Sequence, residues 1–365
     1  MGTVGREGYR VSHAWQNQLK SKRDFDNLKS ATIASMRRIT DCTSSAIKDA
    51  ATALTKGSLV AFPTETVYGL GADATNEDAV SRIYKVKGRP SGHPIIVHIS
   101  SIGNLEKWAR NIPKYAINLA HAFWPGPMTL ILQKTNLAKH YITGGQSNVG
   151  IRIPSHAIAL ALLKEFEDQG GHGIAAPSAN RFGAVSSTTA AAVDIELANY
   201  LSVNDHILDG GTCSIGVEST IVNCTQDQPS ILRPGAITKE MIQNTLRRSI
   251  GPNLSNSKNT KIKVAGSLES HYAPRAKVFL TGSPEFGDGF IALDSIKTPS
   301  GAVRIAAPKS NEEYAQFLYE AFRSADKKGL KRIFVIPPVG NDIAVAINDR
   351  LIKSASDKCV DKRPV

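Results

Sequence analysis

Between residues 41 and 252, the hydrophobic pattern alternates between helical and strand-like stretches. Apolar residues at helical spacing predict helices over residues 42–55, 76–87, 112–123 and 157–167, the last with Ser155 as its N-cap. Short apolar runs predict strands at residues 59–62, 94–99, 128–132, 149–153, 173–176, 207–208, 220–223 and 231–232. Because strands and helices alternate, residues 41–252 are predicted to form an α/β domain.

The alternation of predicted helices and strands stops after residue 252 and resumes after residue 275. Residues 253–275 are rich in Asn, Ser and Lys, which is typical of a linker or a mobile loop. Strands at 277–280, 302–307 and 332–336 then alternate with helices at 311–328 and 343–355, so residues 276–365 are predicted to form a small parallel-sheet domain. Residues 1–40 are polar and basic, and we expect a disordered extension there, with an organellar address as the alternative.

Composition narrows the classes of function. The formal net charge of +12 favours anionic partners such as nucleotides, RNA or phosphates. The four cysteines form no C-x-x-C pair, and we expect a reducing compartment, the cytoplasm or alternatively a mitochondrion or other organelle. No apolar run approaches the roughly 18 residues of a membrane span. The nine histidines form no zinc motif, so no metal ligands are predicted among the side chains.

The segment PTETVYGLG, residues 63–71, follows a predicted buried strand with a polar set that a plain loop does not need. It is suited to presenting hydroxyls and backbone amides to a ligand. The overlapping GLGADA matches the dinucleotide fingerprint G-x-G-x-x-A, but the acidic residue expected after the next strand is missing. Two glycines that permit a close approach of the backbone to a ligand are the favoured interpretation.

Four further polar loops also lie beside predicted strands. YKVKGRP contains Lys87 and Arg89, and the point charge of a lysine together with the planar fork of an arginine suits a polyphosphate. The alternative is a run of charged residues that only faces solvent. AAPSAN contributes Ser178 and Asn180, DGGTCSIGVEST is Gly-rich, and ILRPGAI contributes Arg233. From the residues alone, we predict a polar, cationic pocket for a phosphate-bearing small molecule.

The same residues carry a resemblance to a known family. GSLVAFPTETVYGLGADA, YKVKGRPSGHPIIVHI, FWPGPMTLIL, VGIRIPSH, IAAPSAN, GVESTIV and ILRPGAI resemble the YrdC-like family, in order and at its spacing. SHYAP followed by a second domain resembles the long two-domain form, the threonylcarbamoyl-AMP synthases. The resemblance implies a twisted α/β sheet domain with a large concave cavity, plus a small C-terminal Rossmann-like α/β domain.

The activity that the resemblance implies joins L-threonine, bicarbonate and ATP, with a magnesium ion, into threonylcarbamoyl-AMP and pyrophosphate. Downstream tRNA machinery then transfers the group to an adenosine beside the anticodon, and direct contact with tRNA is not required. Two alternatives stay open: an RNA-binding module without catalysis, and a carbamoyl-transfer enzyme of the same fold. Base-stacking motifs for the first and paired C-x-x-C motifs for the second are missing from the sequence.

The resemblance also assigns site residues. The threonine contacts would be Thr66, His98, Arg152, Ala176 and Ser219, and the ATP contacts Lys87, Arg89, His93, Asn148, Ser178, Asn180, Ser186, Arg233 and Tyr272. Lys87 and Arg89 would be the catalytic cations. Two departures from the family stand out: His93 replaces the usual Asn, and residues 265–269 replace the usual Pro-Gly-Met and basic residues. Tyr272 lies on the linker, which would close over the nucleotide as a lid.

Overall fold

A computed structural model describes residues 39–251, 262–266 and 272–355. Its first sheet has the strand order β1-β8-β2-β3-β7-β4-β6-β5-β9-β10 and mixes parallel and antiparallel pairs. The strands are β1 Ile39–Asp41, β2 Val60–Phe62, β3 Gly69–Asp73, β4 Val97–His98, β5 Met128–Gln133, β6 Asn148–Arg152, β7 Ile174–Ala175, β8 His206–Asp209, β9 Thr220–Asn223 and β10 Ser230–Arg233.

Helices cover both faces of this sheet. They span Ser44–Thr55, Glu77–Lys87, Leu105–Trp108, Lys114–Phe123, His140–Thr143, Ala157–Asp168, Ala190–Leu197 and Lys239–Leu246, with a 3-10 turn at Ile102–Asn104. On one face the helices Ser44–Thr55 and Ala157–Asp168 pack together over Phe62 and Ile174, and on the other a larger core surrounds Trp108. The predicted α/β architecture is confirmed.

The C-terminal domain is a second, fully parallel sheet in the order β11-β14-β12-β13. Its strands are β11 Lys277–Phe279, β12 Gly289–Ile291, β13 Val303–Ala306 and β14 Arg332–Val335, and its helices are Asn311–Lys327 and Ala344–Ser354. The hydrophobic core of the C-terminal domain is continuous with the first domain, because Val67, Val185 and Val217 of the first domain pack into the same cluster as Leu318 and Phe322. None of the helices in the described ranges combines the length and the hydropathy that a membrane-spanning segment requires.

Several predicted details are wrong. Ser155 does not cap its helix: the imidazole Nδ1 of His156 accepts from the Ile158 amide at 3.2 Å, while the Ser155 amide donates to Glu65 Oε2 at 3.1 Å. The predicted elements also omit the strands β1, β3 and β12, the 3-10 turn Ile102–Asn104, and the helices Leu105–Trp108, His140–Thr143, Ala190–Leu197 and Lys239–Leu246. Ile39 and Thr40, assigned to the N-terminal extension, belong to β1; residues 1–38 lie outside the described residues.

The dinucleotide alternative for GLGADA does not hold, because these residues form the strand β3 rather than a phosphate-binding turn. A Cβ on Gly71 would lie 2.8 Å from both Ile174 Cγ2 and Phe62 Cε1. Only a residue without a side chain permits β3 to pass this close to its neighbours. The favoured interpretation, glycines for a close approach of the backbone to a ligand, does not describe Gly71, where the backbone approaches protein side chains.

Candidate functional site

A cleft of about 670 Å³, a volume that includes solvent at its mouth, lies along one side of the large sheet. Eleven of the fourteen predicted site residues line the cleft: Thr66, Lys87, Arg89, His98, Arg152, Ala176, Ser178, Asn180, Ser219, Arg233 and Tyr272. The predicted residues of both substrates therefore share one cavity.

Sheet topology explains part of this convergence. β4 and β6 are parallel and place His98 opposite Arg152 in register. β5 runs antiparallel to β6 and parallel to β9, and β10 runs antiparallel to β9. The ends of β4, β6 and β10 and the start of β9 consequently lie on the same edge of the sheet, which brings Ser219 and Arg233 to the same side as His98.

The loop between β2 and β3 is built around the Thr64 hydroxyl. Its Oγ1 accepts from the Thr66 and Val67 amides at 3.2 Å and donates to the Val67 carbonyl at 2.6 Å. Hydroxyl bonds of this kind replace backbone pairing in a turn. They fix the position of Thr66, whose own hydroxyl accepts from Arg152 Nη1 at 2.9 Å.

Arg152 and Glu65 form a buried ion pair at this end of the cleft. Arg152 Nη2 lies 2.7 Å from Glu65 Oε1, and both side chains are nearly inaccessible to solvent. Arg152 Nε also donates to the Gly126 carbonyl at 3.3 Å. The guanidinium is therefore held on three sides, which sets its planar fork in one orientation. His98 lies against the same cavity, and burial, together with the charge of Arg152, lowers its pKa to about 3.

Lys87 and Arg89 form the cationic end. Lys87 is the last residue of its helix, and Gly88 follows in the left-handed conformation with φ of 62°. Lys87 Nζ donates to the Ser178 carbonyl at 2.5 Å and to the Asn180 carbonyl. Burial and the charge of Arg89 hold the pKa of Lys87 well below its usual range. Burial lowers the pKa of Arg89 to about 10.

Arg233 joins the sheet to the linker. Its Nε and Nη2 donate to the carbonyl and hydroxyl of Ser219 at 3.0 and 3.1 Å, and its Nη1 donates to the Ala265 carbonyl at 3.0 Å. The Ser219 hydroxyl is also bonded to Thr129 Oγ1 at 2.8 Å. Among the described residues, no carboxylate lies within ion-pair distance of Lys87, Arg89 or Arg233. Three buried cations with neutral partners make this part of the cleft attractive to a polyanion.

Three predicted site residues lie beside the cleft rather than in its lining. The His93 ring packs edge-to-face on Phe182 at 5.4 Å between centroids, and Phe182 lines the cleft. Asn148 lines an adjoining smaller cleft that shares Ala265 with the first. The Ser186 hydroxyl donates to Glu218 Oε1 at 2.6 Å. Their direct contact with a ligand remains a prediction.

Comparison with known proteins decides the family. The model of the Sua5, YciO and YrdC proteins, described as telomere recombination, matches residues 52–235, and the model described as threonylcarbamoyl-AMP synthase, C-terminal domain, matches residues 237–356. The chain belongs to the threonylcarbamoyl-AMP synthase family. The family, the fold class and the class of enzyme expected from the sequence are thereby confirmed.

Two curated relatives of this family cover most of the chain. The threonylcarbamoyl-AMP synthase of Bacillus subtilis is 39% identical over 332 residues, which span 86% of this chain and 94% of the relative. That of Pyrococcus abyssi is 36% identical over 338 residues, or 86% and 95%. The crystal structure of Pyrococcus abyssi Sua5 complexed with L-threonine superposes with a TM-score of 0.78 at 36% identity, covering 87% of this chain and 97% of that one.

The sequence prediction for this family member missed two carboxylates. Glu65 pairs with Arg152, and Glu218 lines the cleft next to Ser219. Both stand inside motifs already singled out, PTETVYGLG and GVESTIV. A carboxylate repels an anionic ligand, so the expected binding chemistry gave no reason to select either glutamate. Neither glutamate stands next to an arginine in the sequence, so no local signal would have found the two pairs.

We expect His98 to make this synthase less stable in acid. Its folded-state pKa of about 3 lies below the 6.5 of the unfolded chain, so the folded protein binds fewer protons and stability is lost as the pH falls below 6.5. Between pH 7.5 and 5.5, the wild type should lose about 1.4 kcal/mol more unfolding free energy than His98→Gln. Urea unfolding of both proteins at the two pH values measures this difference; identical losses would contradict it.

Proposed function

We propose that the protein joins L-threonine, bicarbonate and ATP into threonylcarbamoyl-AMP and pyrophosphate. The observation that carries the proposal is the single cleft in which a buried arginine fork, Arg152, lies together with the cationic group Lys87, Arg89 and Arg233. An amino acid and a nucleoside triphosphate each need one of these features. The relatives named threonylcarbamoyl-AMP synthase support the same activity.

Threonine occupies the Arg152 end in this proposal. The fork of Arg152 binds its carboxylate, and Thr66, His98, the Ala176 backbone and Ser219 supply polar contacts around the rest of the molecule. His98 is neutral at physiological pH because its pKa is about 3, so it can contribute a hydrogen bond without repelling the ammonium form of the substrate. The relative crystallised with L-threonine supports an amino-acid site in this family.

ATP occupies the cationic end. Lys87, Arg89 and Arg233 neutralise the phosphates, while Ser178 and Asn180 line the same wall of the cleft. In the described ranges, no three His, Cys, Asp or Glu side chains converge as a metal site. Glu218, the carboxylate of the cleft lining, already accepts bonds from Ser186, Tyr319 and Arg350. Magnesium would enter with ATP and would supply further positive charge at the phosphates beside Lys87, Arg89 and Arg233.

The reaction needs no nucleophile from the protein. The threonine ammonium group first gives up a proton to solvent. The free amine then attacks the bicarbonate carbon and water is lost, which gives a carbamate. A carbamate oxygen then forms a bond to the α-phosphorus, and the bond from phosphorus to the bridging oxygen breaks as pyrophosphate leaves with the electron pair. The protein contributes the relative position of the two substrates and positive charge around the phosphates.

The product is an activated acyl group, so its consumer is the tRNA-modifying machinery that transfers threonylcarbamoyl to adenosine. The cytoplasm or an organelle would house both steps, and the compartment stays a prediction. The linker also stays a predicted lid, since residues 252–261 and 267–271 lie outside the described ranges.

Pyrophosphate release with one substrate omitted at a time tests the proposed function. The wild-type protein should release pyrophosphate from MgATP only when both threonine and bicarbonate are present, and labelled bicarbonate should appear in a product that contains AMP. Serine in place of threonine serves as the substrate control. Release of pyrophosphate at the same rate without threonine would overturn the proposal.

A further inference from the structure

The C-terminal domain reaches the cleft through two buried side chains, Arg350 and Tyr319, which are both 0% exposed. Arg350 Nε donates to Glu218 Oε2 at 2.8 Å, and the Tyr319 hydroxyl donates to the same oxygen at 3.0 Å. Glu218 lines the cleft, whereas Arg350 and Tyr319 lie behind it. A carboxylate of the catalytic domain is thus held by hydrogen bonds from the other domain.

The same two side chains hold Tyr272. The Arg350 guanidinium carbon lies 5.3 Å from the centroid of the Tyr272 ring, and the Tyr319 ring stacks on it at 5.8 Å with an angle of 26°. Cation–π contact and ring stacking both fix the position of an aromatic side chain. Tyr272 has a φ of 62°, a conformation that non-glycine residues adopt only when their surroundings impose it. Arg350 and Tyr319 therefore both pack against Tyr272 where it lines the cleft.

These contacts continue to the cationic end of the cleft. Glu218 directly precedes Ser219, whose carbonyl and hydroxyl hold Arg233. The charges of Arg350 and Arg233, with the Ser186 hydroxyl, outweigh the effect of burial and hold the pKa of Glu218 at about 2. Glu218 is therefore ionised at neutral pH, forms an ion pair with Arg350, and is influenced at longer range by the charge of Arg233.

We propose that Arg350 and Tyr319 are positioning residues for nucleotide binding: they hold Glu218 and Tyr272, and through Ser219 they hold Arg233, in the arrangement that receives the phosphates. The catalytic domain supplies the groups in the cleft, and the C-terminal domain sets their orientation. The inference rests on the proposed function for the identity of the ligand, ATP.

The threonine end has its own support. Arg152 bonds to both Thr66 and Glu65, and within the described ranges none of the three bonds to Arg350 or Tyr319. Of the proposed threonine contacts, Ser219 is the one that adjoins Glu218 and holds Arg233. A loss of Arg350 should consequently weaken ATP binding more than threonine binding. A purely structural ion pair would instead lower stability and leave the affinities of the folded protein unchanged.

The test measures ATP and threonine affinity by titration calorimetry on the full chain. Arg350→Lys keeps the charge and loses the fork, and Tyr319→Phe keeps the stacked ring and loses the hydroxyl. Arg304→Lys is the matched control, because Arg304 also lies 5.2 Å from an aromatic ring centroid, that of Phe290, and donates to the Ala292 carbonyl at 2.7 Å, but does not line the cleft. Thermal unfolding confirms that each variant is folded.

We expect Arg350→Lys to raise the Kd for ATP at least about tenfold and Tyr319→Phe about threefold, because each removes hydrogen bonds to a buried charged group. The Kd for threonine should change less than about threefold, and Arg304→Lys should change neither. Unchanged ATP affinity in folded Tyr319→Phe and Arg350→Lys would overturn the inference. Should Arg350→Lys not fold, Tyr319→Phe decides alone.

The two proposals fail separately. Wild-type protein that binds ATP but releases no threonine-dependent pyrophosphate would overturn the proposed function, while the affinities of the variants would still decide the role of Arg350 and Tyr319. Wild-type turnover with affinities unaltered in both variants would overturn only the positioning role.

Discussion

Lys87→Ala should lower kcat for threonine-dependent pyrophosphate release at least tenfold, which corresponds to a loss of about 1.4 kcal/mol in transition-state stabilisation. Lys87 is 2% exposed, and its ammonium group is held by the Ser178 and Asn180 carbonyls in the cleft wall. These neutral partners leave its charge available to phosphates. Alanine would remove the charge and leave two carbonyl oxygens without their donor.

Lys85→Ala is the control for this prediction. Lys85 belongs to the same helix, Glu77–Lys87, but is exposed and does not line the cleft. Its replacement removes one positive charge from the same helix end and should leave kcat within about twofold of the wild type. Similar rates for the two variants would show that Lys87 does not act on the phosphates.

Arg152→Ala should raise the KM for threonine by about 30-fold to a few thousandfold, since truncating one partner of a buried charge pair costs about 2–5 kcal/mol. The fork would be lost together with the bond to Thr66, and Glu65 would remain buried without its cation. The KM for ATP should change far less, because Lys87, Arg89 and Arg233 are untouched. Steady-state kinetics with each substrate varied in turn gives both values.

Arg82→Ala controls for the loss of an arginine ion pair. Arg82 lies 2.6 Å from Asp205, outside the cleft lining, with 32% of its side chain exposed. Urea unfolding of both variants separates lost stability from lost binding. If Arg152→Ala raised both KM values equally, the assignment of threonine to this end of the cleft would be wrong.

The cleft residues were predictable because the sequence places them where short strands begin or end. Lys87 closes a helical pattern that ends at Gly88 and Arg89 follows it, so the local pattern already singled out both cations. Arg152, at the end of β6, was assigned only through the family resemblance. Family resemblance then assigned the ligands. Residues of this kind are recognisable one motif at a time, without knowledge of which strands pair.

The supporting residues were not predictable in this way. Glu218 meets Arg350 across 132 positions of sequence, and Glu65 meets Arg152 across 87, so neither pair shows in any local pattern. β3 was not predicted because glycine is uncommon in strands, and the close approach of Phe62 and Ile174 explains the glycine at position 71. Burial and partner choice are properties of the packed sheet, which periodicity does not report.

Because Val67, the neighbour of Thr66, packs into one cluster with Leu318 and Phe322, the linker interrupts the sequence without dividing the interior. Separating the two domains at the linker would expose apolar surface of each domain to solvent. Mutations that a genetic screen locates in the C-terminal domain should therefore be interpreted as defects of the cleft.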